Sequence, residues 1–272
     1  MTQTECWQVT GSASEIDEQH LVPAVFQPWA TLLIEQGQLQ PGERILDVAC
    51  GTGIVARFAA QRVGAAGRVT GLDLNPGMLE VARSVSAHLA SFLTWQEGSA
   101  TALPFGAAEF DVVFCQLGLQ FFPDRSTALR EMVRVLVPGG RLFLLVWRAI
   151  EHSLGFAALA SALERHVGPE AASLMYAPFV FGDTTAELHM LCEQAGLQEV
   201  RVRFETRMVR FPSGPAMVRS YVAGSPLAGQ MARAAETAGK RLIQDVAAAL
   251  QHYIDDEGLA FPIEGQIIRG KK

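Results

Sequence analysis

Residues 45–53 read Ile-Leu-Asp-Val-Ala-Cys-Gly-Thr-Gly, and the organisation of the chain can be inferred outward from them. The first five positions are apolar except for Asp47, a composition typical of a short buried strand. Gly51 can adopt the positive φ that a tight turn requires. The apolar residues of 54–63 then predict a helix, whose first N–H groups and positive dipole end would face a ligand. The stretch therefore predicts a binding loop between a strand and a helix.

The same alternation of strand and helix continues along the chain. Strands are predicted over residues 44–49, 68–72, 92–96, 110–115 and 141–147, and helices over 54–63, 76–88 and from Asp124 to a break at Pro138-Gly139-Gly140. Nearly continuous apolar strands separated by helices are typical of a parallel sheet covered on both faces. Right-handed crossovers place the carboxyl ends of all these strands at one edge, where we expect any ligand to bind.

The flanking regions suggest three parts for the chain: residues 1–40, 41–149 and 150–272. The first part combines a loose segment, 1–13, with a helix over 21–36. In the last part, 150–195 and 213–253 read as helical and 258–269 as a final strand. Residues 200–211 alternate as a half-exposed strand, with one face formed by Val200, Val202, Phe204, Thr206 and Met208.

Composition excludes several classes of protein. With 49% hydrophobic and 18% charged residues, the chain has too little charge for a disordered protein. A net charge of −6 and a pI of about 5.6 argue against a nucleic-acid or anionic-membrane partner. The longest strongly apolar run, 142–147, is too short to span a bilayer, and the N-terminus does not resemble a signal peptide. We therefore expect a cytoplasmic protein without an integral membrane segment.

The cysteines do not predict a metal site. Cys6, Cys50, Cys115 and Cys192 lie far apart in the sequence, and no His/Cys cluster has zinc-binding spacing. Cys50 and Cys115 fall at the ends of predicted strands, and no histidine is their neighbour in sequence. Buried, unreactive thiols are therefore the better interpretation of both.

The glycine-rich loop indicates a cofactor of the adenosine type. Residues 51–56 fit the G-x-G-x-x-(G/A) dinucleotide fingerprint, and Asp73, 20 positions beyond Gly53, could accept hydrogen bonds from ribose hydroxyls. Asp47, however, would repel a pyrophosphate and suits a ligand that carries an ammonium group. The helix N-terminus would then face a carboxylate. An amino-acid tail satisfies both requirements.

Five segments extend this interpretation to a family. They read DVACGTG (47–53), GLDLNPGML (71–79), ATALPF (100–105), FDVVFCQLGLQFFPD (110–124) and REMVRVLVPGGRLFL (130–144). In order and spacing, residues 41–148 resemble the class I S-adenosylmethionine-dependent methyltransferases, in the branch with the ubiquinone/menaquinone-type C-methyltransferases. The resemblance implies a Rossmann-like, doubly wound α/β fold with a mostly parallel seven-stranded sheet and helical cap insertions. It also implies that 1–40 form a lid, 41–149 bind the cofactor, and 150–272 complete the sheet and cap the acceptor.

The resemblance also implies which residues contact S-adenosylmethionine. The methionine end of the cofactor would lie against Asp47, Ala49, Gly51, Thr52, Gly53, Gln116 and Leu117. Asp73 would bind the ribose, Leu74 and Met78 would pack on the adenine faces, and Ser99 and Ala100 would reach the adenine edge. Many members of the family have Asp where this chain has Ser99, so the contact to the adenine amino group loses its charge assistance.

The predicted reaction requires no nucleophilic residue of the protein. Methyl transfer from a sulfonium to an acceptor is an in-line displacement, which depends on alignment and on exclusion of water. His20, His152 and Glu151 are candidate bases, but a surface role is favoured for each, and the catalytic residues stay unknown. Phe121, Phe122 and Trp147 could line an acceptor pocket, although core packing is the more common role of such aromatic residues.

The acceptor and the reaction leave alternatives open. The Ala-rich helices and the low charge favour a small apolar or amphipathic acceptor, such as a lipid, a quinone or a secondary metabolite. The sequence does not decide between O-, N- and C-methylation, nor does it predict an oligomeric state. An NAD(P)-dependent oxidoreductase and a non-catalytic S-adenosylmethionine-binding regulator are the two alternative functions.

Overall fold

The computed structural model of the protein describes residues 12–272 and divides them into two compact units. We call them the sheet unit and the helical unit. The sheet unit comprises Trp29–Val146, Asp183–Glu205 and Gly265–Lys272, and the helical unit comprises residues 12–28, Trp147–Gly182 and Thr206–Glu264. Of the segment predicted to be loose, residues 1–11 lie outside the described part, whereas Ala13 already begins a helix.

A single sheet runs through the described chain. Its strands are β1 (Arg44–Val48), β2 (Arg68–Asp73), β3 (Leu93–Glu97), β4 (Phe110–Gln116), β5 (Leu136–Trp147), β6 (Gln198–Phe211), β7 (Ile254–Asp255) and β8 (Gly258–Lys271). Seven of them follow the order β3-β2-β1-β4-β5-β8-β6, and β7 pairs with β8 alone. The neighbours among β1–β5 are parallel. The predicted mostly parallel α/β sheet is therefore confirmed.

The described residues form eleven α-helices and one π-helical segment. They are α1 (Ala13–Ile16), a π-helical segment (Asp17–Phe26), α2 (Gln27–Gly37), α3 (Ile54–Val63), α4 (Pro76–Val85), α5 (Arg125–Val135), α6 (Leu154–His166), α7 (Pro169–Tyr176), α8 (Thr185–Gln194), α9 (Gly214–Ala223), α10 (Leu227–Arg233) and α11 (Glu236–Ala249). The Asn75 side chain caps α4 by accepting from the Gly77 N–H, and Asp124 caps α5 through the Thr127 N–H. Among the described helices, none is long and apolar enough to cross a membrane.

Strand β5 begins earlier than predicted. A break at Pro138-Gly139-Gly140 was expected before a strand that starts at Arg141, but the strand already begins at Leu136. The Gly139 N–H donates to the Lys272 carbonyl over 2.8 Å, and the Lys272 N–H donates to the Gly140 carbonyl over 3.0 Å. The helix does end before these residues, but the predicted start of the strand is too late, because Lys272 supplies the two glycines with hydrogen-bonding partners.

Strand β6 departs from the single apolar face that its alternation predicts. Phe204 and Met208 are 46% and 51% exposed, whereas Val209 and Phe211 are buried. The alternation changes phase near Glu205, where the chain passes from the sheet unit to the helical unit. The predicted face is therefore wrong in its second half, because the less exposed apolar positions are Val200 and Val202 before Glu205 but Val209 and Phe211 after it.

An aromatic cluster forms the core of the helical unit. Phe156 is 2% exposed, and its ring lies 4.9 Å from that of Tyr221, 5.7 Å from that of Phe261 and 6.2 Å from that of Phe179. A Cβ added at Gly155 would lie 2.3 Å from the Phe261 ring, so helix α6 can approach the ring only with glycine at this position. Burial of these rings supplies much of the hydrophobic stabilisation of this unit.

We expect Phe156→Ala to lower the free energy of unfolding by about 3–5 kcal/mol, since it removes a fully packed ring and leaves a cavity. The matched control is Phe204→Ala, in which the ring removed is 46% exposed; its cost should stay below about 1 kcal/mol. Urea titration followed by tryptophan fluorescence measures both. Equal costs for the two variants would contradict the central role of the Phe156 cluster.

Candidate functional site

The loop between β1 and α3 has an unusual backbone. Ala49, Gly51 and Gly53 have φ values of +56°, +55° and +87°, in the left-handed region that only glycine adopts without strain. The Gly53 N–H donates to the Cys50 carbonyl over 2.9 Å, which closes the turn. Helix α3 starts directly after Gly53, and this N-cap residue has no side chain with which to cap the helix. The loop therefore presents backbone groups rather than side chains.

Asp47 is the buried acid beneath this loop. It is 1% exposed, and its Oδ2 accepts a hydrogen bond of 3.0 Å from the Ala56 N–H in the first turn of α3. Its Oδ1 has no hydrogen-bond partner within residues 12–272. Burial raises the pKa of Asp47 to about 8, against the effect of the Ala56 N–H and with a smaller contribution from the charge of Asp73. One oxygen thus caps the helix, and the other is a buried acceptor that a cationic donor would satisfy.

Asp73 ends strand β2 and fixes the loop to it. Its Oδ2 accepts from the Gly51 N–H and its Oδ1 from the Asn75 N–H, both over 2.8 Å. Burial raises the pKa of Asp73, and these backbone N–H groups oppose the shift. Because β1 and β2 are adjacent and parallel, the two acids lie at the same edge of the sheet. A carboxylate has about four acceptor sites, so Asp73 can still accept from a ligand.

The next strand end carries the predicted adenine contacts. The Gly98 N–H donates to the Asp73 carbonyl over 3.0 Å, so Ser99 follows at the same edge of the sheet. The Ser99 Oγ lies 2.9 Å from the Thr101 Oγ1 and accepts from the Thr101 N–H over 3.2 Å. Ala100 is buried, Met78 is half-buried, and Leu74 exposes 51% of its surface despite its apolar side chain.

The remaining predicted cofactor residues lie at the end of β4. Leu117 has a φ of +59°, and its N–H donates to the Leu145 carbonyl over 2.9 Å. Asp47 pairs with Phe114 in the register of β1 and β4, which places Gln116 level with Ala49. A Cβ added at Gly118 would lie 2.6 Å from the Ala49 Cβ, so the two loops pack against each other. The predicted cofactor residues therefore lie along the carboxyl edge of four adjacent parallel strands, β3, β2, β1 and β4.

Trp95 supports the loop and was not predicted as part of the site. A Cβ added at Gly53 would lie 2.1 Å from the Trp95 Cη2, and one added at Gly71 would lie 2.3 Å from its Cζ3. The Trp95 Nε1–H donates to the Ser86 Oγ over 3.1 Å, which fixes the indole. The sequence offered no signal for this role, since a tryptophan in a strand usually indicates core packing. Only the register of Trp95 opposite Gly71 places it there.

The candidate bases belong to the helical unit. The His152 Nδ1 lies 3.9 Å from the Glu264 Oε2, and the same carboxylate oxygen pairs with the Arg148 guanidinium. Glu151 is exposed, and His20 lines a cavity of about 710 Å³. His20 and Glu151 thus have surface positions, and His152 is half-buried beside an acid.

The remaining candidates contribute packing rather than reactive groups. Trp147 is 5% exposed and stacks on Phe179, with 6.4 Å between the ring centroids, so it is a core residue. Cys50 and Cys115 are buried, and desolvation is the largest cause that raises the pKa of each thiol. Thiols that stay protonated are poor nucleophiles. This agrees with the prediction that both cysteines are buried and unreactive.

Comparison with known sequences identifies related domains. Residues 46–144 match the family model of a methyltransferase domain. One relative is a 2-phytyl-1,4-naphtoquinone methyltransferase of Thermosynechococcus vestitus, 41% identical over 117 residues, which cover 43% of this chain and 52% of the relative. Another is the ubiquinone/menaquinone biosynthesis C-methyltransferase UbiE of Xanthomonas oryzae, 40% identical over 119 residues, which cover 43% and 47% of the two chains. The chain therefore matches only about half the length of these curated relatives.

Comparison with solved structures extends the likeness to most of the chain. The crystal structure of the YcgJ protein from Bacillus subtilis aligns with a TM-score of 0.60, covers 89% of this chain and 97% of its own, and is 19% identical. At this identity the likeness concerns the fold, and it confirms the predicted Rossmann-like class.

We expect the cost of Gly53→Ala to depend on Trp95. In the wild-type background the new Cβ meets the indole and also strains a φ of +87°; with Trp95→Ala only the strain remains. A double-mutant cycle of unfolding free energies should therefore give a coupling of about 1–3 kcal/mol. Gly51→Ala is the control, because its φ is +55° but nothing lies within 4 Å of its added Cβ. Additive costs for Gly53 and Trp95 would contradict the proposed support of the loop.

Proposed function

We propose, from the premise that residues 46–144 form a class I S-adenosylmethionine-dependent methyltransferase domain, that the protein catalyses methyl transfer from S-adenosylmethionine to a small acceptor. The acceptor is apolar or amphipathic, the transfer is an in-line displacement, and the second product is S-adenosylhomocysteine. The observation that carries the proposal is the unpaired Oδ1 of the buried Asp47 beside a loop of positive φ.

The residues present fit the amino-acid tail of this cofactor. A buried carboxylate oxygen without a protein donor costs free energy, and an ammonium group of a ligand removes that cost. The N-terminus of α3 provides amide groups and a positive dipole end for the carboxylate of the same tail. A pyrophosphate brings no ammonium group to the Oδ1 of Asp47, and its negative charge opposes ionisation of this buried acid, which disfavours a nicotinamide dinucleotide in this loop.

The remaining contacts follow the carboxyl edge of the sheet. In our proposal Asp73 accepts from the ribose hydroxyls, and Leu74, which is otherwise an exposed apolar side chain, packs with Met78 on the adenine. Ser99 and Ala100 reach the adenine edge. Gln116 and Leu117 border the methionine end together with Ala49, Gly51, Thr52 and Gly53.

The protein contributes alignment and exclusion of water. S-adenosylmethionine supplies an activated methyl group, because the positive sulfonium leaves as a neutral thioether. A loop fixed by Asp73 and Trp95 holds one reactant in a single position, and such positioning can lower a barrier by about 7–11 kcal/mol. No nucleophilic side chain is required, consistent with the protonated thiols of Cys50 and Cys115.

Two observations support the class of acceptor. The names of the two relatives refer to a phytyl-naphthoquinone and to the biosynthesis of ubiquinone and menaquinone, and quinones are rings with oxygen substituents. Only 18% of this chain is charged, which is low for a protein that binds charged polymers. An apolar or amphipathic ring compound agrees with both.

Calorimetric titration with S-adenosylhomocysteine and with NADH tests the cofactor. We expect heat from S-adenosylhomocysteine alone, and binding of NADH alone would favour an oxidoreductase.

Transfer of a radiolabelled methyl group to a panel of reduced naphthoquinones, catechols and indoles then tests for methyltransferase activity. Cofactor binding without any labelled product across such panels would indicate a regulator instead. Asp47→Ala should abolish binding and Asp124→Ala, at the cap of α5, should preserve it.

We expect binding of S-adenosylhomocysteine to release a proton. Asp47, with a pKa of about 8, is mostly protonated at pH 7, and a neighbouring ammonium lowers this pKa, so the proton leaves on binding. Affinity should therefore rise by up to about tenfold per pH unit from roughly pH 6 and level off near pH 8. Titrations at pH 7 in buffers of different ionisation enthalpy measure the released proton. Asp47→Asn should bind without proton release, and identical heats for the wild type in all buffers would contradict the role of Asp47.

A further inference from the structure

A buried amide lies beside the loop of the proposed cofactor site. Gln120 is 4% exposed, and neither its Oε1 nor its Nε2 has a hydrogen-bond partner in the described chain. In residues 12–272 it is the one side chain with both terminal polar atoms buried and unpartnered. Buried polar groups are nearly always paired, because desolvation without a partner is costly. An amide in this state therefore calls for a ligand or a specific explanation.

The backbone that carries Gln120 is well fixed. The residue lies in the single helical turn Leu119–Phe121, in which the Phe121 N–H donates to the Gly118 carbonyl over 2.9 Å. The Arg125 guanidinium donates to the Gln120 carbonyl over 3.4 Å. Leu119, its neighbour in the turn, is fully buried. The Gln120 carbonyl thus has a donor, whereas its side-chain amide has no hydrogen-bond partner in the described chain.

The turn is positioned against the proposed methionine end of the cofactor. Gly118 packs against Ala49 so closely that an added Cβ would lie 2.6 Å from the Ala49 Cβ. Strands β1 and β4 are parallel neighbours, so the loops that follow them share one edge of the sheet. Gln120 therefore follows the segment that, under the proposed function, borders the group to be transferred.

The polar groups of the cofactor already have assigned partners. Asp47 accepts from the ammonium, the start of α3 meets the carboxylate, Asp73 accepts from the ribose and Ser99 contacts the adenine edge. The amide of Gln120 is left for the other reactant. Because Gln120 is neutral and can both donate and accept, it suits a neutral oxygen group such as a hydroxyl or a carbonyl. A charged acceptor would need a counter-ion when buried.

We propose that Gln120 is a specificity-determining residue that binds a neutral oxygen substituent of the methyl acceptor. This inference rests on the proposed function and narrows its acceptor to an apolar ring that carries a hydroxyl or a carbonyl. A site built to hydrogen-bond such a group discriminates against the analogue that lacks it, since its amide would then stay unpaired.

The test compares two probes that differ in one hydroxyl. Equilibrium dialysis measures the affinity of 1-naphthol and of naphthalene for the protein saturated with S-adenosylhomocysteine. The wild type should bind 1-naphthol about tenfold or more tightly than naphthalene, and Gln120→Leu should reduce this ratio to about one. The affinity for S-adenosylhomocysteine should stay the same, and the melting temperature of the ligand-free variant should not fall. Gln198→Leu, at an exposed position of β6, is the control and should keep the wild-type ratio.

Several outcomes would overturn the inference. The wild type could show no preference between the probes, or Gln120→Leu could retain it. A lower melting temperature or an unfolded Gln120→Leu protein would mean that the amide serves the fold. Weaker S-adenosylhomocysteine binding in this variant alone would assign the amide to the cofactor. Failure of the wild type to bind S-adenosylhomocysteine would instead refute the proposed function, so the two failures are distinguishable.

Discussion

The site depends on one buried carboxyl group. Asp47 lies at the end of the central strand β1, almost without solvent contact, and within residues 12–272 its carboxyl group accepts one hydrogen bond, from the first turn of α3. That bond joins strand and helix across the glycine-rich loop and determines where the helix begins. Burial of an acid with few hydrogen-bond partners disfavours its ionised form, and a cation bound beside the carboxylate would stabilise that form. The loop, the helix start and the ligand preference thus have a common physical origin.

The neighbouring residues hold this arrangement from two sides. Asp73 accepts a hydrogen bond from the Gly51 N–H and so connects the loop to β2. The indole of Trp95 fills the space beside Gly53 and Gly71. The Trp95 contact does not tolerate a larger side chain at Gly53 or Gly71, since the added atoms would meet the indole ring. The glycines are therefore required by backbone conformation and by the close approach of Trp95. A rigid loop of this kind can position a reactant without chemically active side chains.

Sequence reasoning succeeded where the information is local. Apolar runs predicted the parallel strands, Asp124 marked the start of α5, and the acids and glycines located the edge where the site residues gather. It failed where partners are distant in sequence. The extension of β5 depends on hydrogen bonds to Lys272. The change of phase in β6 occurs where the chain passes from the sheet unit to the helical unit, and the role of Trp95 depends on the register of its strand. The unpaired amide of Gln120 could be recognised only from burial.

The burial that raises the pKa of Asp47 also protects the two thiols at the strand ends. Desolvation is the largest cause that raises the pKa of Cys115 to about 12, and the charge of Asp47 is the next. For Cys50 the cause is again desolvation, followed by the charges of Asp73 and Asp47. The thiolate is the nucleophilic form, so thiols with raised pKa values react slowly with an electrophile. Beside the proposed methyl donor, the most electrophilic ligand this loop would hold, the acids that attract the cofactor thus also keep the cysteines from accepting its methyl group.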